Sequence, residues 1–416
     1  MATETSHNAS KQWLSIAAII FAGEIIFSLP FHLARFFRPT FLSSFELTNT
    51  ELGDIFAFYG VVAMLAYFPG GYLADRFSAR KLMTAALYST AAGGLYLATF
   101  PSLSGLTALF AFWGLTTILC FWSAMIKMTR DVTASGDQGK AFGLLDGGRG
   151  FVAATMATLA LYLLGVIFPE QITNLSMAER LDAMQVVIYY YTGLTFFAGM
   201  LIWLIFPDTE SQQAPEPFIG SISETLQNSR LWLQAAVVFC AYCGFKGLDY
   251  FGLYLVQVYE FNEIESSELI AYSSYLRPLA AISAGIIADR FSSSWLITVM
   301  FSITALIFGS LILAGDGLTH LYLLGTLVIT FISVFSLRAV YFALIEESHI
   351  ARHMTGISVG IISVIGFTPD IFFAPLAGRL LDNPDAIVGF THFFILLTVI
   401  SVLGQLSAWA LSRKNS

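Results

Sequence analysis

The chain has 416 residues, of which 56% are hydrophobic and only 12% are charged, and its mean hydropathy is +0.73. A soluble globular domain carries about 25% charged residues, so this composition excludes an ordinary soluble protein and predicts that most of the surface faces lipid. The net charge of -8 is spread over short loops and forms no basic block, which excludes nucleic acid as a partner.

Apolar runs long enough to cross a bilayer follow one another along the whole chain. The first run lacks a signal-peptide layout, so we expect it to be retained as a membrane helix. We predict an all-α membrane protein with twelve transmembrane helices, numbered as spans 1 to 12 in chain order. The predicted spans are 12–36, 51–74, 82–101, 104–128, 141–168, 185–206, 231–259, 268–288, 294–314, 319–343, 354–380 and 388–411.

The longest polar stretch lies between spans 6 and 7, where a connection between two halves is expected. It predicts an N-terminal six-helix bundle at 1–206, a cytoplasmic linker at 207–229 and a C-terminal six-helix bundle at 230–416. Lysine and arginine favour the cytoplasmic side of a membrane protein, and here they concentrate on the side of the N-terminus. Both termini are therefore expected in the cytoplasm.

An eight-residue segment recurs 214 positions later in the chain. Gly71-Tyr-Leu-Ala-Asp75-Arg76-Phe77-Ser78 returns as Gly285-Ile-Ile-Ala-Asp289-Arg290-Phe291-Ser292, and each copy ends a predicted span. The small residues are expected to let a neighbouring helix approach closely. The repeat predicts two related halves.

The first copy continues to Arg80-Lys81 and so resembles the cytoplasmic-loop signature G-x-x-x-D-R-x-x-R-K of the major facilitator superfamily. The resemblance implies two pseudo-symmetric six-helix bundles around one cavity, working by alternating access. It also implies a gate on the cytoplasmic side, the alternative being residues that only anchor the topology. The expected gate residues are Asp75, Arg76, Arg80, Arg130, Asp289 and Arg290.

Three further segments resemble the nitrate/nitrite-porter-like permeases of the YihN type, which implies a bacterial inner membrane. They are Phe121–Lys127, Gly139–Gly150 and Gly366–Asp370. Nitrate porters carry an arginine in span 2, where this chain has none before Arg76, so nitrate is disfavoured. The segment Gly244–Tyr250 is similar to the organophosphate–phosphate antiporters, but its basic residue stands two positions from theirs.

A charged residue at the centre of a span costs about 2.5–3.5 kcal/mol of insertion free energy, so each such residue is expected to have a functional or structural role. Arg277 precedes Asp289 by twelve residues, which places it about 18 Å along the helix, whereas the repeat puts Ala63 at the matching position. The excess of basic groups predicts a small, anionic organic substrate. The residues expected to bind it are Lys246, Arg277, Arg338, Arg149, Tyr250 and Trp122, with Glu24 and Asp370 as proton-coupling carboxylates.

An alternative explanation of these charges is that they form structural ion pairs. The candidate pairs are Asp146–Arg149, Lys246–Asp249 and Lys127–Glu347, of which the last is also a candidate gate between the two bundles. A cation and an acid spaced three apart on one helix face each other, which makes the first two pairs plausible.

The prediction is a secondary active transporter, coupled to protons or to an exchanged anion. The alternatives left open are a multidrug or metabolite exporter and a membrane sensor that does not transport. No nucleophile–histidine–acid set or metal-ligand pattern occurs, so we expect no enzyme, cofactor or metal. The Cys240-x-x-Cys243 pair is interpreted as two buried thiols, and we expect a monomer in the lipid bilayer.

Overall fold

The computed structural model describes residues 2–132, 138–168, 176–208, 227–315, 317, 319–341, 343–344 and 355–415. Within these ranges the chain is almost entirely helical and contains no strand. In lipid a backbone N–H or C=O group has no water partner, so apolar runs of this length satisfy their hydrogen bonds internally as helices. The expected all-α membrane fold is confirmed.

The first half of the chain contains nine α-helices and two π-helical segments in its described part. The α-helices are α1 Ala2–Ile25, α2 Leu33–Phe36, α3 Arg38–Ser44, α4 Asn49–Arg76, α5 Ala79–Leu97, α6 Leu103–Gly114, α7 Ser123–Val132, α8 Gln138–Ile167 and α9 Met177–Ile205. The π-helical segments are Ser28–His32 and Leu115–Trp122.

The described part of the second half continues in the same way. Its α-helices are α10 Ser229–Gly247, α11 Phe251–Tyr259, α12 Glu263–Ser274, α13 Leu276–Arg290, α14 Ser293–Ala314, α15 His320–Val340, α16 Thr355–Gly366, α17 Pro369–Leu381 and α18 Ala386–Asn415. A short 3-10 turn, Leu248–Tyr250, joins α10 to α11.

Nine helices in the described ranges are long and apolar enough to cross a membrane, or ten if the bent pair Gln12–Ile25 and Ser28–Phe36 is one span. These ten match ten of the twelve predicted spans. The other two, 82–101 and 268–288, correspond to α5 and to α12 with α13, which fall outside that criterion. The number twelve therefore stays a prediction.

Side-chain caps explain why span 6 begins earlier than its apolar run. The predicted span starts at 185, whereas α9 starts at Met177 because Ser176 and Glu179 form a capping box. The Ser176 hydroxyl accepts from the Glu179 N–H, and the Glu179 carboxylate accepts from the Ser176 N–H over 2.7 Å. Such reciprocal bonds satisfy N–H groups that a helix start otherwise leaves open.

The chain divides into two units. The first comprises Met1–Leu47, Phe58–Pro215 and Asn262–Ala271, and the second comprises Thr48–Ala57, Glu216–Phe261 and Tyr272–Ser416. The first has a core of aliphatic and methionine side chains, whereas the second has linked aromatic rings around Tyr254, Phe390 and Phe394. The domain boundaries 1–206, 207–229 and 230–416 stay a prediction.

Glycines of the repeated segment differ in what surrounds them. A Cβ at Gly70 would lie 3.0 Å from the carbonyl oxygen of Leu119, so this glycine does permit close helix approach. A Cβ at Gly71 or Gly285 would meet nothing within 4 Å. Among the described residues, the expected close packing is therefore seen at Gly70 but not at Gly71 or Gly285.

Candidate functional site

A buried carboxylate on span 1 lies between two basic side chains. Glu24 Oε2 accepts from Arg149 Nε over 2.9 Å, and Glu24 Oε1 lies 3.1 Å from His32 Nε2. Their exposed fractions are 3% for Glu24, 8% for Arg149 and 1% for His32. We call these three residues the Glu24 cluster. It joins span 1 to span 5 inside the first unit.

Backbone irregularities shape this cluster. The α-helix of span 1 ends at Ile25, the chain bends by 44°, and the π-helical segment Ser28–His32 follows. The wider turn brings His32 back to Glu24, eight residues earlier. Single-turn π-helical segments inside α-helices often occur at functional sites.

Two aromatic rings cover the guanidinium of the Glu24 cluster. The Arg149 Cζ lies 5.4 Å from the ring centroid of Phe27 and 5.6 Å from that of Trp122. The two rings pack edge to face at 6.2 Å, and Trp122 ends the second π-helical segment. A cation over ring faces is stabilised by their quadrupoles, so Trp122 positions Arg149.

Tyr191 of span 6 lies on the other side of His32. The two ring centroids are 5.9 Å apart with an interplanar angle of 77°, and Tyr191 is 0% exposed. Within the described residues, His32 Nδ1 and the Tyr191 hydroxyl are buried and have no hydrogen-bond partner. Buried polar atoms in native proteins are almost always hydrogen-bonded, so two adjacent exceptions indicate a site.

The second unit contains a partly buried carboxylate–cation pair. Lys246 Nζ lies 2.7 Å from Asp370 Oδ1, and the Tyr242 hydroxyl lies 2.9 Å and 3.0 Å from the two carboxylate oxygens. We call these three residues the Asp370 cluster. It joins span 7 to span 11.

A helix break positions Asp370. Helix α16 ends at Gly366, and α17 begins at Pro369, a residue whose fixed φ suits the first turn of a helix. Asp370 therefore stands in the first turn of α17, where open N–H groups and the helix dipole stabilise a carboxylate.

The other predicted substrate-binding residues also belong to the second unit. Arg277 is 6% exposed, and the Arg338 Cζ lies 4.1 Å from the ring centroid of Phe245. Tyr250 is 2% exposed and packs against the rings of Phe373 and Phe393. The substrate contacts of all three stay predictions.

Of the predicted gate residues, Arg80 connects the ends of spans 3 and 6. It donates to the Phe206 carbonyl over 3.2 Å and lies 3.5 Å from Asp208, while Lys81 Nζ lies 2.7 Å from the same carboxylate. The hydrogen bond from Lys81 holds the pKa of Asp208 below its usual range. These contacts fix the cytoplasmic-loop segment on the first unit.

The remaining gate candidates are only partly described. Lys127 Nζ donates to the Ala74 carbonyl over 2.8 Å, next to the repeated segment. Arg76 lies 4.3 Å from the ring centroid of Tyr72, and Arg290 lies 5.9 Å from that of Phe291. Outside the described side chains lie Asp75, Arg130, Asp289 and Glu347.

At the opposite end of the spans, Asp382 caps the start of α4. Its carboxylate accepts from the N–H groups of Asn49 and Thr50 over 2.9 Å and 2.7 Å. Partial burial raises the pKa of Asp382, but the hydrogen bonds from Thr50 and Asn49 outweigh it and hold the pKa below its usual value. Nearby, Arg379 Nη1 pairs with Asp54 over 2.9 Å.

The structure corrects one of the structural pairings considered from sequence. Arg149 pairs with Glu24 and not with Asp146, because the helix directs its side chain toward span 1. Lys246 pairs with Asp370 on a different span. Sequence reasoning missed His32, although it stands two helical turns after Glu24 and aligns with Lys246 under the 214-residue repeat.

Residues 16–349 match the family model of the Major Facilitator Superfamily. Two Escherichia coli (strain K12) proteins are each 26% identical to this chain, the inner membrane proteins YqcE and YihN. The YqcE match covers 94% of this chain and 92% of YqcE, and the YihN match covers 98% and 96%. The resemblance to the YihN type is confirmed.

Solved structures of transporters have the same fold. A bacterial homologue of the human lysosomal transporter Spinster, in an inward-facing and unoccupied conformation, matches with a TM-score of 0.73 over 98% of this chain and 97% of that one. A point mutant of the nucleoside transporter NupG matches with a TM-score of 0.73 over 96% and 99%. Both are 12% identical, so they show the fold alone.

Proposed function

Since this chain belongs to the major facilitator superfamily and is thereby a multi-pass membrane transporter, we propose that it moves a small organic anion by alternating access. The substrate's negative group binds to the basic residues, which include Arg149 and Lys246. The carboxylates beside these two residues, Glu24 and Asp370, couple transport to protons or to an exchanged anion. We place it as a monomer in a bacterial inner membrane, with both termini in the cytoplasm.

The observation that carries this proposal is that each unit holds a cation on an internal carboxylate, buried in the first unit and partly buried in the second. The distances are 2.9 Å for Arg149–Glu24 and 2.7 Å for Lys246–Asp370. Such a site is already arranged for a carboxylate or a phosphate, because the donor geometry that suits Glu24 or Asp370 also suits an incoming anion. Exchange of one anion for another leaves the buried charge balanced, which avoids the cost of an isolated ion.

The two clusters have opposite polarity along the repeat. In the first unit the acid is on span 1 and the cation on span 5, whereas in the second unit the cation is on span 7 and the acid on span 11. The two units therefore offer chemically different contacts. Arg277 and Arg338 are further basic residues of the second unit, which supports its binding the anionic moiety.

Transport into liposomes tests the proposal. Purified protein is reconstituted and assayed for uptake of lactate, gluconate and glycerol 3-phosphate, with glycerol as the neutral counterpart, with and without a pH gradient. We expect uptake of at least one anion, no glycerol uptake, and loss of anion uptake in Lys246→Gln. Uptake of neutral or cationic compounds that is unchanged in Lys246→Gln would favour the exporter and overturn the anion assignment.

A further inference from the structure

We propose that His32 and Tyr191 form a subsite where one proton and the anionic group of the substrate bind together, next to Glu24 and Arg149. This inference rests on the proposed function and assigns its coupling step to a particular nitrogen atom. It adds two residues, on spans 1 and 6, to the binding machinery.

Hydrogen bonding within the Glu24 cluster determines which nitrogen of His32 is open. A carboxylate paired with a guanidinium only accepts, so Nε2 of His32 carries the hydrogen that lies between it and Glu24 Oε1. The lone pair of Nδ1 is then the place for an added proton. That atom is buried and has no partner among the described residues, and the Tyr191 hydroxyl shares both properties.

Charge balance couples the proton to the anion. Glu24 and Arg149 cancel, so the cluster with neutral His32 has no net charge, and a proton on Nδ1 gives it one positive charge. An uncompensated buried charge costs several kcal/mol, whereas a monoanion bound at Nδ1–H restores neutrality. Binding of the proton therefore raises the affinity of the subsite for the anion, and binding of the anion raises its affinity for the proton.

Donor geometry then defines the kind of group that fits. The imidazolium Nδ1–H and the Tyr191 O–H are both donors, and their rings pack edge to face with centroids 5.9 Å apart, so one carboxylate or phosphate that enters beside the two rings can accept from both. The proton comes from water on the loading side and leaves to water on the opposite side after the anion dissociates. No bond other than N–H is made or broken.

Neighbouring elements bring few other titratable groups to His32. The charges that act on it are those of Glu24, Arg35 and Arg149, and Tyr191 is followed along span 6 by no carboxylate in α9. Span 3 brings Gly94 against Leu29, and span 4 brings Trp122 against Phe27. Neither contact adds a titratable group, so the charges that act on His32 are those of Glu24, Arg35 and Arg149, and Tyr190 is the titratable neighbour of Tyr191.

Burial of the subsite requires a motion for access. His32 and Tyr191 are 1% and 0% exposed, and His32 ends the π-helical segment that follows the 44° bend in span 1. A change of that bend at the π-helical segment opens the Nδ1 side without breaking an α-helix. His32, which carries the coupled proton, therefore lies at the bend of span 1.

The test combines anion binding with proton uptake in weakly buffered solution. Detergent-purified protein is mixed with lactate, gluconate or glycerol 3-phosphate, thermal stabilisation reports binding, and an indicator dye reports protons. We expect about one proton taken up per anion bound by the wild type. His32→Gln keeps a donor for Glu24 but is expected to abolish proton uptake, and Tyr191→Phe should weaken binding about tenfold.

Tyr190→Phe is the matched control, since its hydroxyl contacts Met156 Sδ at 3.5 Å and not the cluster. It should bind and take up protons as the wild type does. Anion binding without proton uptake in the wild type, or uptake retained in His32→Gln, overturns the inference while leaving the proposed function intact. No stabilisation and no flux with any anion contradicts the proposed function itself.

A second measurement does not require the natural substrate, so it remains decisive if none of the tested organic anions binds. Nitrogen NMR of ¹⁵N-histidine protein, with His32 assigned by His32→Gln, reports the state of each ring nitrogen. With inorganic phosphate as the probe, His32 is expected to change from the Nε2–H form to the imidazolium between about pH 8 and about pH 5. A His32 signal that keeps the Nε2–H form throughout overturns the subsite. Size-exclusion profiles and unfolding temperatures confirm that each variant is folded.

Discussion

Arg149 Nε donates a hydrogen bond to Glu24 Oε2 over 2.9 Å, although 125 positions separate the two residues. Both are nearly inaccessible, and His32 occupies the second oxygen of the carboxylate. The two residues thus form a buried ion pair, and under the proposed function its cation is available to an incoming anion.

Removal of one partner of this pair should destabilise the protein strongly. Arg149→Met leaves the buried Glu24 without its guanidinium partner, and we expect a loss of about 3–5 kcal/mol in unfolding free energy. The double variant Glu24→Gln with Arg149→Met removes both charges and should recover part of that loss. Denaturant unfolding in detergent measures both values. Losses that simply add in the double variant would contradict a direct pairing.

Tyr242→Phe tests the Asp370 cluster without changing ring packing. The variant removes a hydroxyl bonded to both Asp370 oxygens but keeps the ring against Phe367, at 4.9 Å. Hydrogen bonds to charged groups contribute about 1.5–3 kcal/mol, so we expect a loss in that range. Tyr259→Phe is the matched control in the same unit, because its hydroxyl donates only to the neutral Gly315 carbonyl. Equal losses in the two variants would argue against a charged acceptor.

Two glycines allow α4 and α17 to touch through their backbones. A Cβ at Gly53 would collide with the Ala374 carbonyl, and one at Gly378 with the Asn49 carbonyl. Gly53→Ala and Gly378→Ala should each cost about 1–3 kcal/mol through overpacking. Gly71→Ala is the control, since nothing surrounds that position and alanine favours a helix. Comparable losses of unfolding temperature in all three would refute the close contact.

Acidification should weaken the cap that Asp382 provides for α4. Its folded-state pKa lies below the usual 3.8, so its stabilising effect is present above that value and is lost as the pH falls through the folded pKa. Asp382→Ala should therefore lower stability by about 1 kcal/mol near neutral pH and by less below about pH 3. Thermal unfolding of both proteins across this range measures the difference. A difference that grows on acidification would have the wrong sign.

The neighbouring Arg379–Asp54 pair should contribute little. Its side chains are 55% and 45% exposed, so water screens the interaction and the side chains lose entropy on pairing. Arg379→Ala is expected to change unfolding free energy by less than about 1 kcal/mol, although Arg379 also donates to the Pro375 carbonyl. If Arg379→Ala lowered the unfolding free energy as much as Arg149→Met does, solvent exposure would not predict the contribution of this ion pair to stability.

Local patterns were sufficient to predict the architecture. Apolar run length predicts helices because a span must satisfy its own backbone groups, and the 214-residue repeat from Gly71 to Gly285 predicts two related halves. Both signals can be read directly from the amino-acid sequence, so no tertiary information is needed to detect them. The positions of Glu24, Arg149, Lys246 and Asp370 inside spans were likewise visible as costly charges.

What only the tertiary structure decided is which charge faces which. Arg149 is three residues from Asp146 yet pairs with Glu24, and Lys246 pairs with Asp370 from span 11. These partners depend on helix rotation and on the π-helical segment that returns His32 to Glu24, which no local periodicity encodes. The sequence by itself determined a membrane transporter fold with charges at depth, and the packing of spans 1, 5 and 6 brought two of those charges, Glu24 and Arg149, together with His32 and Tyr191 in a candidate binding site.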